Sequence, residues 1–248
     1  MNQKEKFCNF VEKFCKYNQF GSFNNKIVLD FGSGSGKLTR ILRDKGVNTY
    51  GVDFYDSPED IPNNCVNIIE NTKEKISYQI PFDDEFFDIS ISNNVFEHVM
   101  DYDKTLSELS RVTKKNGISI HFFPSRYKPI EPHVKIPGAT VFQNIRYIKF
   151  WLWYSRKVKF KGMHYDNMTN SELAIFHQKF LKQECNYLTG KEILIHCRKN
   201  FTKAFFIDKE LFEFWPGRLN KIYRFGKAFP LIFKLHSVFR MKVLFLQK

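Results

Sequence analysis

The sequence predicts an α/β protein built on a doubly wound parallel sheet, and three observations carry that prediction. Strand-like and helix-like patterns alternate from residue 27 to residue 123. The first strand-like run, KIVLDFG, ends in a glycine-rich turn that opens a helix. A hydrophobic content of 43%, with 28 Phe in 248 residues, is enough core material for one large domain or one domain with a cap.

The elements follow in order. Residues 3–18 place Phe7, Phe10, Val11 and Phe14 at helical spacing, which predicts an amphipathic opening helix. KIVLDFG (26–32) is a short buried strand, and SGKLTRILRDKG (35–46) a helix with Leu38, Ile41 and Leu42 on one face and Gly46 as its stop. NTYGVDF (48–54) is a second strand ending in an acid, and CVNIIEN (65–71) a third. FFDISISNN (86–94) is the fourth, with Phe87, Ile89 and Ile91 alternating with smaller residues. DKTLSELSRVTKKNG (103–117) is a helix with Leu106, Leu109 and Val112 in register and Gly117 as its C-cap; GISIHFF (117–123) is the fifth strand.

Beyond Ser125 the regularity fails. Residues 126–168 are basic, aromatic and punctuated by proline, and predict a poor core element. A helix resumes at 169–185, with Glu172 in its first turn, and EILIHCR (192–198) reads as a strand. Two helical patterns follow within 208–239, one with Leu219, Ile222 and Tyr223, the other with Leu231, Ile232, Leu235, Val238 and Phe239. MKVLFLQ (241–247) is the last strand. The expected organisation is a core at 1–125, a substrate-side lid at 126–168, the remainder of the core at 169–200, a helical cap at 201–240 and a final core strand at 241–248.

Charge divides the chain. Residues 1–125 carry 15 Lys/Arg against 18 Asp/Glu, a net −3, whereas residues 126–248 carry 24 against 8, a net +16. The basic half expects an anionic partner, with a solvated basic surface as the plainer reading. Five cysteines without a C-x-x-C pair read as free thiols in a reducing compartment. No apolar run marks a secretory leader or a membrane span, so the expected location is cytoplasmic, with the inner membrane face as an alternative.

The turn DFGSGSGK excludes two phosphate-binding patterns. A dinucleotide fingerprint starting at Gly32 needs glycine where Lys37 stands. A phosphate loop ending in Gly36-Lys37 needs glycine at Phe31 and Ser/Thr at Leu38. The pattern present is D-x-G-x-G-x-G. With it come Asp53 at the end of the next strand, IPFDDEFFDISISNNVFEHV at 80–99, and KKNGISIHFFP at 114–124. In these segments the chain resembles the class I S-adenosylmethionine (SAM)-dependent methyltransferases, and the resemblance covers residues 26–124 and the terminal strand.

That resemblance implies a Rossmann-like seven-stranded sheet with an inserted basic aromatic cap, and SAM as cofactor. It implies a site made of Asp30, Gly32, Ser33 and Gly34 around the methionine portion, Asp53 on the ribose hydroxyls, Phe54 beside the adenine and Asn93 near the methionine amino group. The family's acid for the adenine amino group is missing; KISYQIPF offers only Ser77 or backbone.

Methyl transfer to a hydroxyl needs an aligned nucleophile and benefits from a base. Two candidates stay open: His98, next to Glu97, and the Glu131-Pro132-His133 segment of a proline-stiffened loop. Some relatives carry E-x-x-E-H and bind a divalent metal; here Asn94 replaces the first acid, and no metal is expected. His121, His164 and His177 read as structural or exposed. Arg126, Lys128, Arg146, Trp151, Trp153, Tyr154 and Arg156 suit an anionic or sugar-containing acceptor, through charge and ring stacking. Nucleic acid is a weaker partner class, since no added binding module is recognisable. Arg218, Lys221, Arg224 and Lys234 on apolar C-terminal helices suit an anionic membrane, and with it a quinone or lipid acceptor. A SAM-binding module without turnover is the reading from another class.

Overall fold

A computed structural model describes the chain except residues 72–75, 159–167, 218–221, 224–225 and 227–228. In chain order the elements are α1 (Gln3–Tyr17), β1 (Ile27–Phe31), α2 (Lys37–Asp44), β2 (Asn48–Asp53), β3 (Cys65–Asn67), β4 (Ile69–Asn71), β5 (Ile76–Gln79), β6 (Phe87–Asn93), α3 (Tyr102–Val112) and β7 (Thr113–Pro124). Then come α4 (Ile145–Lys157), α5 (Asn170–Gln183), α6 (Gly190–Cys197), β8 (Lys203–Phe206), α7 (Asp208–Phe214), α8 (Leu231–Phe239) and β9 (Met241–Gln247).

Seven strands form one sheet in the order β3-β2-β1-β6-β7-β9-β8, while β4 and β5 pair as a separate antiparallel hairpin. The first five strands are parallel, and β9 runs antiparallel to both β7 and β8. Strand order reverses between β1 and β6, and in such sheets ligands bind beyond the carboxyl ends of the strands at that switch point.

Both faces of the sheet are covered, so successive residues of β1, β6 and β7 are buried whichever face they point to, Ser90, Ser92 and Ser119 included. Successive side chains of β1 alternate: Val28 packs with Phe7, Phe10, Val11 and Phe14 of α1, and Leu29 with Leu106 and Leu109 of α3. All five cysteines are free and buried. Among the described residues, no helix is long and apolar enough to cross a membrane.

The architecture follows the sequence reading, with five corrections. The third strand stops at Asn67, and Ile69–Asn71 leaves the sheet to pair with β5. The helix expected to reach Gly117 ends at Val112, where the Thr113 hydroxyl donates to the Leu109 carbonyl at 2.6 Å and β7 begins at once. Gly117 is therefore no cap; it sits at an irregularity in β7, where a Cβ would lie 2.7 Å from Thr113 and 2.8 Å from the Lys114 carbonyl oxygen.

EILIHCR is helix α6, not a strand. Thr189 and Glu192 form a reciprocal capping box, and Ile193 and Cys197 are buried one turn apart. The sixth strand by chain position in the sheet is instead β8, inside the stretch expected to be all helical, and α7 behind it adds Leu211 to the α1-side core. The segment read as a poor core element contains α4, capped by Asn144, whose Ile148 and Leu152 meet Leu173, Ala174 and Leu181 of α5 in a third apolar cluster. Helices α4 and α5 are thus one packed unit. On α8 the apolar row Leu231, Leu235 and Phe239 faces outward, while Phe233 and Ser237 are buried. Of the Leu219 pattern, Ile222 is exposed and Tyr223 packs with Phe212 and Phe233; Leu219, Arg218, Lys221 and Arg224 lie outside the described residues, as does His164.

Candidate active site

The carboxyl ends of β1 and β2, the chain after β6 and the start of α3 enclose a cavity of about 250 Å³, lined by Gly32, Asp53, Phe54, Val95, His98 and Thr105 among others. Its floor is the glycine turn. Gly32 has φ +72°, and a Cβ there would lie 2.3 Å from Val95 Cγ2, so the crowding that demands glycine comes from the protein itself. The Gly32 and Ser33 amides both donate to the Val52 carbonyl, at 2.8 and 3.0 Å, which clamps the turn onto β2.

Asp53 holds the turn from the other side. Its carboxylate accepts from Gly34 N at 2.6 Å and from Phe54 N at 2.8 Å. Phe54 lies beside it, more than half exposed. Ser33 turns inward: its hydroxyl is 2.8 Å from the Tyr55 hydroxyl, which donates to the Gly34 carbonyl at 3.0 Å. Lys37 is the exposed first residue of α2 and takes no part in the turn. Asn93 ends β6 with its Nδ2 closed from solvent and without a hydrogen-bond partner. The Ser77 side chain lies outside the described residues.

Asp30 lies under the turn, 1% exposed, and accepts from the Thr39 hydroxyl at 2.8 Å. Burial pushes its carboxyl up to about 6 from 3.8. An acid whose folded value is raised contributes stability below its unfolded value and loses it as pH climbs through the folded one. Asp30→Asn keeps an acceptor for Thr39 and carries no charge. It is expected to exceed the parent in stability by about 2–3 kcal/mol at pH 8, with the gain fading between about pH 6 and 4; denaturant unfolding of both proteins across that range reads it.

A second cluster borders the cavity at His98. Phe96–His98 is a single tight helical turn, anchored by Phe96 against His121, Tyr102 and Phe123. His98 Nδ1 is 2.5 Å from the Glu184 carbonyl oxygen, and its Nε2 is 3.2 Å from His133 Nε2. Burial lowers the His98 pKa below its usual value. His133 Nδ1 in turn meets Glu131 Oε1 at 2.7 Å. Sequence reasoning left His98 and Glu131/His133 as separate candidates; the fold brings them into one array.

Glu131 is fully buried and saturated. It accepts from the backbone N–H groups of His133 (2.7 Å) and Val134 (2.6 Å), from His133 Nδ1, and from the Tyr187 hydroxyl at 2.6 Å. Burial alone would raise its carboxyl, but the His133 and Tyr187 hydrogen bonds outweigh that and hold it below the usual range. Glu97 is the opposite case: 2% exposed, with Oε2 unpartnered and the carboxyl raised by burial to about 7.

Other candidates fall into structural roles. Arg126 donates to the Tyr187 carbonyl at 2.5 Å, bracing the cluster. His121 is buried against the Ser92 hydroxyl, and burial lowers it to about 3; His177 is also buried. Lys128 stands near Glu97 and Glu131, half-buried, with its pKa lowered by that burial. Trp153 and Tyr154 are exposed on α4, beside Phe150. Sequence reasoning missed Tyr55, Thr39 and Tyr187. Tyr187 meets Glu131 across 56 residues, a separation no local pattern encodes.

Residues 29–121 match the profile of a family described as a methyltransferase domain. The chain is 30% identical over 105 residues to the malonyl-[acyl-carrier protein] O-methyltransferase of Buchnera aphidicola, covering 40% of each chain. It is 29% identical over 150 residues to the ubiquinone biosynthesis O-methyltransferase of Pelagibacter ubique, covering 58% of each. The aligned region thus spans between two-fifths and three-fifths of these relatives' own lengths. Among solved structures, a SAM-dependent methyltransferase from Archaeoglobus fulgidus superposes with TM-score 0.49 at 12% identity, over 97% of this chain and 94% of that one.

Proposed function

We propose that this chain, a member of the class I SAM-dependent methyltransferases by its domain at residues 29–121, transfers the SAM methyl group to a hydroxyl oxygen of a small anionic or sugar-containing acceptor. The observation that carries the proposal is one cavity with two chemically distinct walls: the glycine turn and Asp53 on one side, His98 with its His133–Glu131 array on the other.

The residues present suit SAM. The cofactor supplies an activated methyl on a sulfonium and carries no phosphate, so a turn without a lysine clamp fits it. Asp53 keeps lone pairs for the ribose hydroxyls, and Phe54 offers a ring face for the adenine. The unpartnered Asn93 amide is a donor, which suits the carboxylate of the methionine portion better than its ammonium. Asp30, a buried acid with a single side-chain donor, favours a cation above it. On the far wall the histidine array withdraws the acceptor's proton as the oxygen attacks in line with the departing sulfur. Lys128 supplies charge for an anionic acceptor, and both relatives named above are O-methyltransferases.

Assembly of surface polysaccharides is one setting that would supply such an acceptor. A membrane-borne quinone or lipid precursor is the second reading. It is favoured by exposed apolar residues beside basic ones: Phe150 and Trp153 with Lys149 and Lys157 on α4, and Leu231, Leu235 and Phe239 with Lys234 on α8.

The test is binding followed by transfer. SAM and its demethylated product are expected to bind at micromolar concentration, and Asp53→Ala to weaken both at least tenfold. Labelled methyl transfer is then screened over sugar phosphates, nucleotide sugars and phenolic lipids, with and without anionic vesicles. Absence of SAM binding at 100 μM would refute the proposal, and activity that depends on vesicles would replace the first acceptor class with the second.

A further inference from the structure

The rings of α4 take no part in the cavity: among the described residues, none of α4 lines it. The buried residues of this helix lie on one side, with Ile148 and Leu152 packed against α5. An α-helix turns about 100° per residue, so Arg146, Phe150, Trp153 and Lys157 form one stripe on the opposite side, spaced i, i+4, i+7 and i+11. Tyr154 and Val158 border that stripe on one flank, Lys149 and Arg156 on the other, and all are exposed.

Phe142, Phe150, Trp153, Tyr154 and Val158 are each 44–59% exposed. Ring-to-ring distances of 5.5–6.4 Å join the aromatic ones, through Tyr147 and Trp151, into a continuous surface. A scattered exposed ring needs no partner, whereas a contiguous apolar patch marks an interaction surface. Between residues 132 and 165 the sequence has seven Lys/Arg and no Asp or Glu. Among the described residues, none of the four α4 cations is ion-paired.

We propose that this face of α4 docks on the surface of an anionic lipid bilayer. The rings enter the headgroup boundary, and the cations meet the lipid phosphates. At 13 residues α4 is about 20 Å long, too short for a hydrocarbon core of about 30 Å, so it lies along the surface. Single-stranded nucleic acid also selects rings and cations, but it stacks its bases along a groove. Here the face is the convex side of a helix. Lys157 Nζ already lies 4.6 Å over the Trp153 ring, and Val158 has no flat face to offer a base.

One helix separates the docked one from the candidate site. The α5 ring of Phe180 is 5.5 Å from that of His133, and the Glu184 carbonyl at the end of α5 holds His98. Bilayer binding goes beyond the methyltransferase reading and stands without it; within that reading, acceptors carried in a bilayer become the accessible ones.

The full chain, without SAM, is mixed with vesicles of phosphatidylcholine carrying about 30% phosphatidylglycerol, or of phosphatidylcholine alone, and bound protein is read by flotation. Half is expected to float at about 0.2 mM anionic vesicle lipid in about 0.1 M salt. At least about tenfold more lipid is expected to be needed with neutral vesicles or in about 0.5 M salt. A cation near such a surface contributes about fivefold. Lys149→Gln with Lys157→Gln is therefore expected to weaken binding about 25-fold, and Phe150→Ser with Trp153→Ser at least about tenfold. All four positions are exposed, so both double variants should keep the parent's unfolding midpoint; if one melts early, the other carries the test. No flotation of the parent at about 2 mM anionic vesicle lipid overturns the proposal. Flotation undiminished in both double variants, or lost only in Leu231→Ser with Leu235→Ser on α8, does the same. A two-chain mass that Phe150→Ser with Trp153→Ser returns to one chain assigns the face to a second copy. Binding to a single-stranded oligonucleotide but not to vesicles assigns it to nucleic acid, and either result also overturns the proposal.

Discussion

Glu131→Gln is expected to reduce methyl transfer by about 100-fold while SAM affinity stays within twofold. The carboxylate serves four donors at once, two on each oxygen. Glutamine has one acceptor oxygen, so the donors on the other side meet an NH₂ group. If the amide nitrogen faces His133 Nδ1, the ring must change tautomer or turn, and His98 loses the neighbour its Nε2 faces. Unsatisfied buried donors also cost stability, about 2–4 kcal/mol for two of them. The variant should therefore show a fallen kcat, a lower unfolding midpoint and an undisturbed SAM isotherm. Weakened SAM binding equal to the loss in rate would place Glu131 at the cofactor instead.

Gly32→Ala is the second large effect, and it falls on the other wall. The left-handed backbone costs a non-glycine residue about 1–2 kcal/mol. The larger obstacle is Val95, whose two methyl carbons would lie 2.3 and 2.7 Å from the new Cβ. Either the turn moves off the Val52 carbonyl or Val95 moves into the cavity, and SAM affinity is expected to fall at least 100-fold. Adding Val95→Ala removes both colliding methyls. The double variant should recover about tenfold of the lost affinity, the non-additivity expected of residues in contact. If the double variant binds no better than the single one, the turn's role lies in its backbone angle and not in this collision.

These two walls were unequally legible in the sequence. The glycine turn, the acid 23 residues on and the alternating strands are local patterns; the first, second and fourth strands fell within a residue of their observed bounds, whereas the third ends four residues earlier and the fifth begins four residues earlier than read. Where local reading failed, a competing local signal was usually present. EILIHCR is apolar enough for a strand, but Thr189 and Glu192 three residues apart were a helix start that went unread. Gly117 looked like a helix end, whereas Thr113 had already ended the helix by bonding back to Leu109. The aromatic-basic stretch hid α4, because its buried stripe is only Ile148, Leu152 and Ser155 and the other faces carry exposed rings.

What the sequence determined by itself is the sheet, the donor-side turn and the charge division, because strand alternation, glycine conformation and ionisable side chains are properties of neighbouring residues. Only the tertiary structure decided the far wall. His98 and His133 are 35 residues apart, and Glu131 and Tyr187 are 56 apart. Their roles depend on which nitrogen each partner occupies and on burial that silences or raises each acid. Those are consequences of packing, and they turned two rival candidate bases into one hydrogen-bonded array.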